Sequence, residues 1–378
     1  MSFNEIVTAV FAVFFVLGAI DRFIGNKFGL GAEYERAFSM MGTVALIIMG
    51  LYCISPVVSR IVGPAVTRVY NAVGADPAMF GPTFFTVDAG GYAIATDLGQ
   101  DAATAKWAGI VVSTLIGAAI SFAIPLAISI IDREDRRFFA VGMMCGLAGT
   151  PVGGFFGGLA CSLPVKTLLI NLAPVTFVAA LIILGLWRAP NLTVKIFLVL
   201  AKVVSAIIAL GLVSAGVQAT TGFTLLEGVN PLSEAAALVA KIIIVVAGSL
   251  PFLSVLRRVG KRPIAFISRR LGVNEEATLA MTISLAIVAP VFQSYHKMDV
   301  KGKVLLAVFC STVSNIFGGH LGFTAAVCSD MILPMFVGKI TAAAFSLTLA
   351  NFFAERLFLK KRPDAENGSA ASKTRKKR

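Results

Sequence analysis

The residues with the clearest chemical potential are polar side chains inside long apolar stretches. Asp88 is a carboxylate in the middle of residues 84–92, and His320 is one of the two histidines in the chain. Ionisable groups at membrane depth are costly, so each one is a candidate for binding or proton transfer. A lone carboxylate could act as the counter-ion of a small organic cation, or it could cap the N-terminus of a helix within the segment. Both roles stay open for Asp88, and they are compatible.

Aromatic residues and glycines surround Asp88 in the sequence. Phe85 and Tyr92 could form a wall for a bound cation, an attraction worth about 1–2 kcal/mol in a desolvated site. Gly90 and Gly91 allow the chain to break or another backbone to approach closely. The segment is therefore predicted to form a broken helix that could surround a bound ligand.

A second polar cluster surrounds His320. Asn315 precedes the histidine by five residues, and Thr324 follows it by four, so Thr324 shares its helical face. Such a stripe could line a transport path, or it could pack helices tightly through small polar residues. A binding or proton-relay role and a structural hydrogen bond both stay open for His320. The sequence contains no Ser-His-Asp set, no HExxH motif and no metal spacing of cysteines, so we expect a non-enzyme without metal or cofactor.

Composition indicates the solvent in which these residues lie. Of 378 residues, 57% are hydrophobic and 14% are charged, whereas soluble domains carry about 25% charged residues. A membrane-spanning helix needs roughly 20 apolar residues, and its backbone must be hydrogen-bonded internally. The sequence therefore predicts an all-α integral membrane protein with about nine transmembrane helices. The predicted spans are residues 3–20, 38–58, 105–131, 138–162, 167–186, 192–213, 235–255, 304–323 and 331–353.

Two shorter segments, residues 78–96 and 277–295, are predicted to be re-entrant hairpins. Their proline, glycine and polar residues suit a broken helix better than a continuous lipid-facing one. The net charge is +13, and basic clusters mark cytoplasmic loops. Most of these clusters fall on one side only if both segments enter and leave at the same side, with the N-terminus outside and the C-terminus in the cytoplasm. The basic tail is predicted to be disordered, with no nucleic-acid partner.

The two halves of the chain are predicted to be inverted repeats. A shift of 198 residues places Gly74 on Gly272, Asp101 on Asp299 and Thr114 on Thr312. One unpaired linking helix reverses the orientation of the second half, and inverted repeats with broken helices are typical of secondary transporters. The predicted units are a first membrane repeat (1–162), a linking helix (163–190), a second membrane repeat (191–359) and a disordered basic cytoplasmic tail (360–378).

Several motifs also carry a family resemblance. They are Gly74-Ala75-Asp76-Pro77-Ala78-Met79-Phe80, Asp88-Ala89-Gly90-Gly91-Tyr92 and His320-Leu321-Gly322-Phe323-Thr324-Ala325. Together they resemble the ethanolamine permeases encoded in bacterial ethanolamine-utilization operons, over most of the chain up to about residue 357. The resemblance implies ethanolamine uptake across the inner membrane, feeding ammonia-lyase chemistry in a microcompartment.

A site for ethanolamine must recognise an ammonium ion with a hydroxyl two carbons away. We expect Asp88 to bind the ammonium and Phe85 or Tyr92 to contact the methylenes. Asn315, His320 or Thr324 would bind the hydroxyl, provided that the first hairpin meets residues 304–323. An ion-coupled transporter of another small solute, such as an amino acid, is the alternative, and a membrane enzyme or structural subunit is third. The lipid bilayer is the expected surrounding, and the oligomeric state stays open, a homo-oligomer included.

Overall fold

The computed structural model describes residues 2–259 and 269–354, and the predicted basic tail lies outside the described residues. Throughout those two ranges the chain forms helices and turns, with no β-strand. Eight of the helices in them are long and apolar enough to cross a membrane. The chain is an all-α integral membrane protein, as its composition predicts.

The helices follow one another with short connections. Ser2 and Glu5 form a capping box at the start of the first helix, and Gly222, in a left-handed conformation, ends the ninth. In chain order they are α1 (Phe3–Phe23), α2 (Leu30–Ser39), α3 (Met41–Ala72), α4 (Phe80–Phe84), α5 (Tyr92–Leu98), α6 (Ala102–Ile130), α7 (Arg136–Ala160), α8 (Val165–Arg188), α9 (Pro190–Thr221), α10 (Leu232–Val259), α11 (Glu275–Ser284), α12 (Val300–Ser311), α13 (Gly319–Val327) and α14 (Ile332–Ala354).

Residues 76–101 form the first hairpin, a broken helix whose two ends meet. After α4 the backbone becomes extended at Phe85 and Thr86, and a π-helical turn then leads into α5. Asp76 accepts hydrogen bonds from the backbone N–H groups of Gln100 (3.1 Å) and Asp101 (3.0 Å). The segment therefore enters and leaves at the same end of the helical bundle.

Residues 274–299 form the second hairpin, which is closed in a similar way. The backbone N–H of Asn274 donates to Asp299 at 2.9 Å, and the Asn274 side chain donates to the carbonyl of Lys297 at 3.0 Å. Asp299 also caps α12, as Asp101 caps α6. The hydroxyl and the backbone N–H of Thr104 donate to Asp101 and lower the pKa of its carboxyl.

The two hairpins enter from opposite ends of the bundle. At one end Lys106, just beyond the first hairpin, lies 3.5 Å from Asp330, and Asn4 donates to the Asp330 carbonyl. At the other end Lys303, just beyond the second hairpin, pairs with Asp135. We call these the Asp330 end and the Asp135 end. The arrangement is the one expected of inverted repeats, and the repeat boundaries stay a prediction.

The long helices pack in pairs at glycines. α1 packs along α10, α3 along α9 and α7 along α14. A Cβ atom added at Gly50 would lie 2.3 Å from the carbonyl oxygen of Ile208, one at Gly248 would lie 2.1 Å from that of Phe11, and one at Gly153 would lie 2.4 Å from that of Gly338. Small residues thus bring helix backbones into direct contact. In a lipid bilayer the hydrophobic effect does not drive helices together, so van der Waals attraction at these contacts stabilises the packing.

The expectation of one span over residues 304–323 is wrong. α12 and α13 are separate helices, and the chain between them forms turns. Asn315 has a φ of 56°, and the backbone N–H groups of Asn315 and Phe317 donate to the carbonyls of Ser284 and Leu285 at the tip of the second hairpin. These tertiary hydrogen bonds replace helical ones. The polar residues and glycines of the segment permit such a break, but the sequence does not show which distant carbonyls accept the hydrogen bonds.

Candidate functional site

A cavity of about 430 Å³ lies between α3, the first hairpin, the start of α10 and α13. Its volume falls in the range of small-molecule sites. Its lining includes Val327, which is close to Asp330 in the chain, and Val87 and Gly90 at the hairpin tip. The polar lining residues are Tyr52, Ser55, Tyr92, Thr96, Asp97 and Asn230.

Asp97 is the one acidic group among the described residues that line the cavity. It lies on the last turns of α5 and is exposed to the cavity space. The hydroxyl of Ser59 on α3 donates to one carboxylate oxygen at 3.2 Å. The remaining acceptor sites of the carboxylate can receive hydrogen bonds from a cationic ligand, and such charge-assisted bonds are strong.

Aromatic rings form another wall of the cavity. Tyr92 of the first hairpin and Phe323 of α13 meet edge to face, with ring centroids 5.8 Å apart. Both line the cavity, where they offer apolar surface for methylene groups and π-faces for a cation. The contact also joins the first hairpin to α13, and α13 touches the π-helical turn itself.

The loop before α10 supplies a polar side of the cavity. The Asn230 side chain donates to the carbonyl of Tyr52, and its backbone N–H donates to that of Cys53. The Tyr52 hydroxyl donates to Glu234 at 2.9 Å. These bonds hold the loop against α3 and leave the amide oxygen of Asn230 as an acceptor beside the cavity.

Asp88 lies in the π-helical turn between Val87 and Gly90, both of which line the cavity. Its side chain lies outside the described part of the structure, so its contact with a ligand stays a prediction. The backbone nonetheless places Asp88 at the tip of the first hairpin, where the sequence predicts a broken helix.

The residues next to Asp88 have packing roles. Phe85 is buried in a cluster with Leu51, and its carbonyl accepts from the Ser113 hydroxyl at 2.6 Å. Gly90 has a φ of 91°, and a Cβ there would lie 2.0 Å from the Leu51 side chain. A Cβ at Gly91 would lie 1.9 Å from the Ser113 hydroxyl oxygen. Glycine is required at both positions so that the tip can lie against α3 and α6.

The predicted residues of the second half are not among the residues that line the cavity. His320 is 2% exposed, and its Nδ1 atom has no hydrogen-bond partner among the described residues. Thr324 donates to the His320 carbonyl at 2.8 Å, as expected of residues on one helical face. Asn315 is half-buried in the turns before α13. The structure thus brings Tyr92 and Gly90 together on the cavity and places the other described candidates around it.

Asp97 and Lys339 are absent from the site residues predicted from sequence. Asp97 is a charged residue in the first hairpin, and Lys339 is a fully buried lysine in α14. Each is an ionisable group in an apolar segment, which is the same signal that points to Asp88. Lys339 also interacts electrostatically with His320.

Comparison with known proteins identifies the family of the chain. The family model described as "Ethanolamine utilisation protein, EutH" matches residues 3–353. The chain belongs to the EutH family. It is 38% identical over 360 residues to a "Probable ethanolamine permease EutH" of Listeria monocytogenes, covering 95% of this chain and 96% of that protein. It is 33% identical to the "Uncharacterized protein YxeR" of Bacillus subtilis over 91% and 94% of the two chains, and 31% identical to a "Probable ethanolamine permease EutH" of Salmonella typhimurium over 93% and 95%. No solved structure matches the chain.

In this member of the EutH family the described residues around Asp135 pack closely together, whereas the Asp330 end holds the cavity. Lys303 and Asp135 form a buried ion pair at 2.6 Å. The Tyr295 hydroxyl donates to the Lys303 carbonyl at 2.8 Å, and the rings of Tyr295 and Phe138 lie about 6 Å from the Lys303 ammonium. These charged and aromatic groups hold α7, α12 and the second hairpin in contact with one another.

Proposed function

We propose that the protein is a permease that takes up ethanolamine across the bacterial inner membrane without converting it chemically. The observation that carries the proposal is the cavity at the Asp330 end, with a carboxylate on one wall and aromatic rings on another. Ethanolamine offers a matching ammonium, two methylenes and a hydroxyl. The named relatives from Listeria and Salmonella support the same substrate.

The cavity suggests how the substrate is recognised. Asp97 binds the ammonium as it enters, Tyr92 and Phe323 contact the methylenes, and Asn230 accepts a hydrogen bond from the hydroxyl. Asp88 at the hairpin tip is the next anion along the path, beside Gly90. The path then continues past the elements that carry Asn315, His320 and Thr324. The sequence predicts that these residues bind the substrate. Two successive anions would pass a cation inward without holding it too tightly at either position.

The orientation of the protein in the membrane follows from the distribution of charge. Arg133, Arg136 and Arg137 flank Asp135. Three lysines, Lys297, Lys301 and Lys303, lie at or beside the foot of the second hairpin, by which we mean the end where its first and last residues are joined by hydrogen bonds. Basic residues of short loops face the cytoplasm. The Asp135 end is then cytoplasmic, the cavity opens to the periplasm, and both the predicted cytoplasmic tail and the predicted periplasmic N-terminus agree.

The test is uptake of labelled ethanolamine by purified protein in liposomes, with chemical analysis of the internal product. We expect accumulation of unchanged ethanolamine. Loss of one charge-assisted hydrogen bond costs about 1.5–3 kcal/mol, so Asp97→Asn should raise the KM for ethanolamine roughly 10- to 100-fold. Asp132→Asn, which removes an exposed carboxylate from the loop between α6 and α7, is the matched control and should leave the KM unchanged.

Different results separate the parts of the proposal. No uptake by folded wild-type protein, or a converted product inside, would refute ethanolamine permease activity. Normal kinetics for Asp97→Asn together with a large loss for Asp88→Asn would leave transport intact and move the ammonium site to the hairpin tip. Normal kinetics for both variants would contradict recognition by these anions.

A further inference from the structure

Lys339 is an ionisable group that is fully buried in the protein. It lies inside the membrane-spanning helix α14 and is 0% exposed. Burial of an ammonium is expensive unless its donors are all bonded. None of the described carboxylates forms an ion pair with Lys339, so its stabilisation has to come from other groups.

Three backbone carbonyls surround the Lys339 ammonium. Its Nζ atom donates to the carbonyl oxygens of Thr114 (3.0 Å), Thr312 (2.8 Å) and Ser314 (3.1 Å). An ammonium has three N–H donors, so each donor has an acceptor. The group is held by oxygen atoms alone, as a hard metal cation would be.

Two of these carbonyls are free because the helix is interrupted. In a continuous helix the Thr312 and Ser314 carbonyls would accept from the N–H groups four residues later. Here the N–H of Ile316 donates to Val313, and that of Gly318 donates to Asn315. The turns between α12 and α13 therefore direct unused carbonyl oxygens at Lys339.

The third carbonyl comes from the corresponding position in the other half of the chain. Thr114 lies in the π-helical stretch Ala108–Gly117 of α6, and the shift of 198 residues that aligns the halves places it on Thr312. The same shift places Lys339 on Val141, an apolar residue of α7. One ammonium thus serves equivalent carbonyls of both halves.

We propose that Lys339 is a tethered cation, which fills a monovalent-cation site at the junction of the two halves. Unwound backbone carbonyls of inverted-repeat transporters are ligands for Na⁺, and rings of carbonyls bind K⁺ in channels. In this protein the Lys339 ammonium of α14 occupies that position and donates to the three carbonyl oxygens. Removal of that side chain should leave an oxygen-lined space that accepts a free alkali cation.

The experiment measures the thermal unfolding temperature, Tm, of purified protein in Na⁺, K⁺ or N-methyl-D-glucamine chloride at constant ionic strength. Wild-type protein should have the same Tm in all three salts. Lys339→Ala should have a lower Tm in N-methyl-D-glucamine and should regain about 2 °C when Na⁺ or K⁺ reaches about ten times its dissociation constant.

Two control variants test whether the vacated space binds the cation. Lys339→Met fills the space with an apolar chain and should be destabilised equally in every salt. Lys241→Ala removes an exposed lysine from α10 and should show neither the loss nor the response.

Several outcomes would overturn the proposal. A Tm of Lys339→Ala that is the same in all three salts would make Lys339 a structural hydrogen-bond donor only. An equal response of Lys339→Met would place the cation elsewhere. If Lys339→Ala does not fold, wild-type ethanolamine uptake decides: it should persist when N-methyl-D-glucamine replaces Na⁺ and K⁺, and a requirement for either ion would contradict a tethered cation. The Tm measurements involve no ethanolamine, so they are independent of the proposed substrate.

Discussion

The two hairpins have feet of similar construction, but they lie at ends of the protein that differ in packing. At the Asp330 end, the first hairpin borders an open cavity and exposes Asp97 to it. At the Asp135 end, the second hairpin carries Tyr295 at the position 198 residues later, and Tyr295 is 1% exposed. One position thus holds a carboxylate in an open site and a buried tyrosine in a closed one.

Side chains, rather than the shared backbone plan, therefore distinguish the end that holds the cavity from the end that is packed. Tyr295, Phe292 and Phe139 form edge-to-face ring contacts beside the Lys303–Asp135 pair. The first hairpin has no such cluster at its described residues around Asp97. Alternating access requires the closed end to open, so the ion pair and its aromatic neighbours are the contacts that must separate.

The largest expected effect comes from breaking the closed end. Asp135→Leu leaves the buried Lys303 ammonium without its partner, which costs about 3–5 kcal/mol of stability. Asp135 makes no capping hydrogen bond to α7 through its side chain, so the loss reports the ion pair. The free energy of unfolding, measured by titration with denaturing detergent, gives the cost.

A double variant provides the control for this prediction. Asp135→Leu combined with Lys303→Met removes both charges and should recover most of the stability, because an apolar pair avoids the desolvation cost. Equal instability of the single and double variants would mean that Asp135 acts through something other than Lys303.

A smaller effect is expected at the tip of the first hairpin. Gly91→Ala places a methyl group against the Ser113 hydroxyl and the Phe85 carbonyl, and overpacking of this kind costs roughly 1–3 kcal/mol. The position 198 residues later is Ala289, which already carries a methyl group. Thermal unfolding and uptake together measure the effect.

The matched variant for Gly91→Ala is Ala289→Gly, which should change the unfolding temperature and uptake much less. Ser113→Ala in the Gly91→Ala background should recover part of the loss, because it removes the nearest contact. A Gly91→Ala protein that matches wild type would show that the two tips tolerate side chains equally.

The smallest effects are expected at the feet. Asp76→Ala removes the acceptor for the N–H groups of Ala78, Gln100 and Asp101, and the loss of such caps costs about 1–2 kcal/mol. Asp299→Ala does the same to Asn274 and Gly302. Amide hydrogen exchange should quicken at residues 100–101 in the first variant and at 274 in the second.

Each foot variant serves as the control for the other, since they lie at opposite ends. Asp76→Asn and Asp299→Asn keep an acceptor oxygen and should exchange more slowly than the alanine variants. Faster exchange at both feet in a single variant would show that the hairpins are coupled through the centre of the protein.

Much of the fold was predictable because membrane insertion depends on length and apolarity. Spans such as those of α1 and α8 follow from composition alone, and the breaks near Gly90 follow from residues that suit no continuous helix. The separation of α12 from α13 was not predicted, because the polar residues and glycines around Val313 suit a closely packed continuous helix as well as a broken one. Their partners, Ser284 and Lys339, lie elsewhere in the sequence.

The candidate site was predictable only in part for a similar reason. Tyr92 and Gly90 adjoin a glycine-rich break, which marks them from sequence. The role of Asp97 depends on Ser59 and Asn230, which approach it only after α3 and the loop before α10 have packed against the first hairpin. Proximity of this kind is a property of tertiary structure.

The glycine contact between α7 and α14 has a consequence for biogenesis. Cβ atoms at Gly149 and Gly153 would collide with the backbone of α14, yet α14 is the last helix of the described chain to be synthesised. Chains fold from the N-terminus as they leave the ribosome. The glycine face of α7 therefore has no contact with α14 until translation is nearly complete. The arrival of α14 also delivers Lys339 to the carbonyls of Thr114 and Thr312, so the middle of the protein is assembled last.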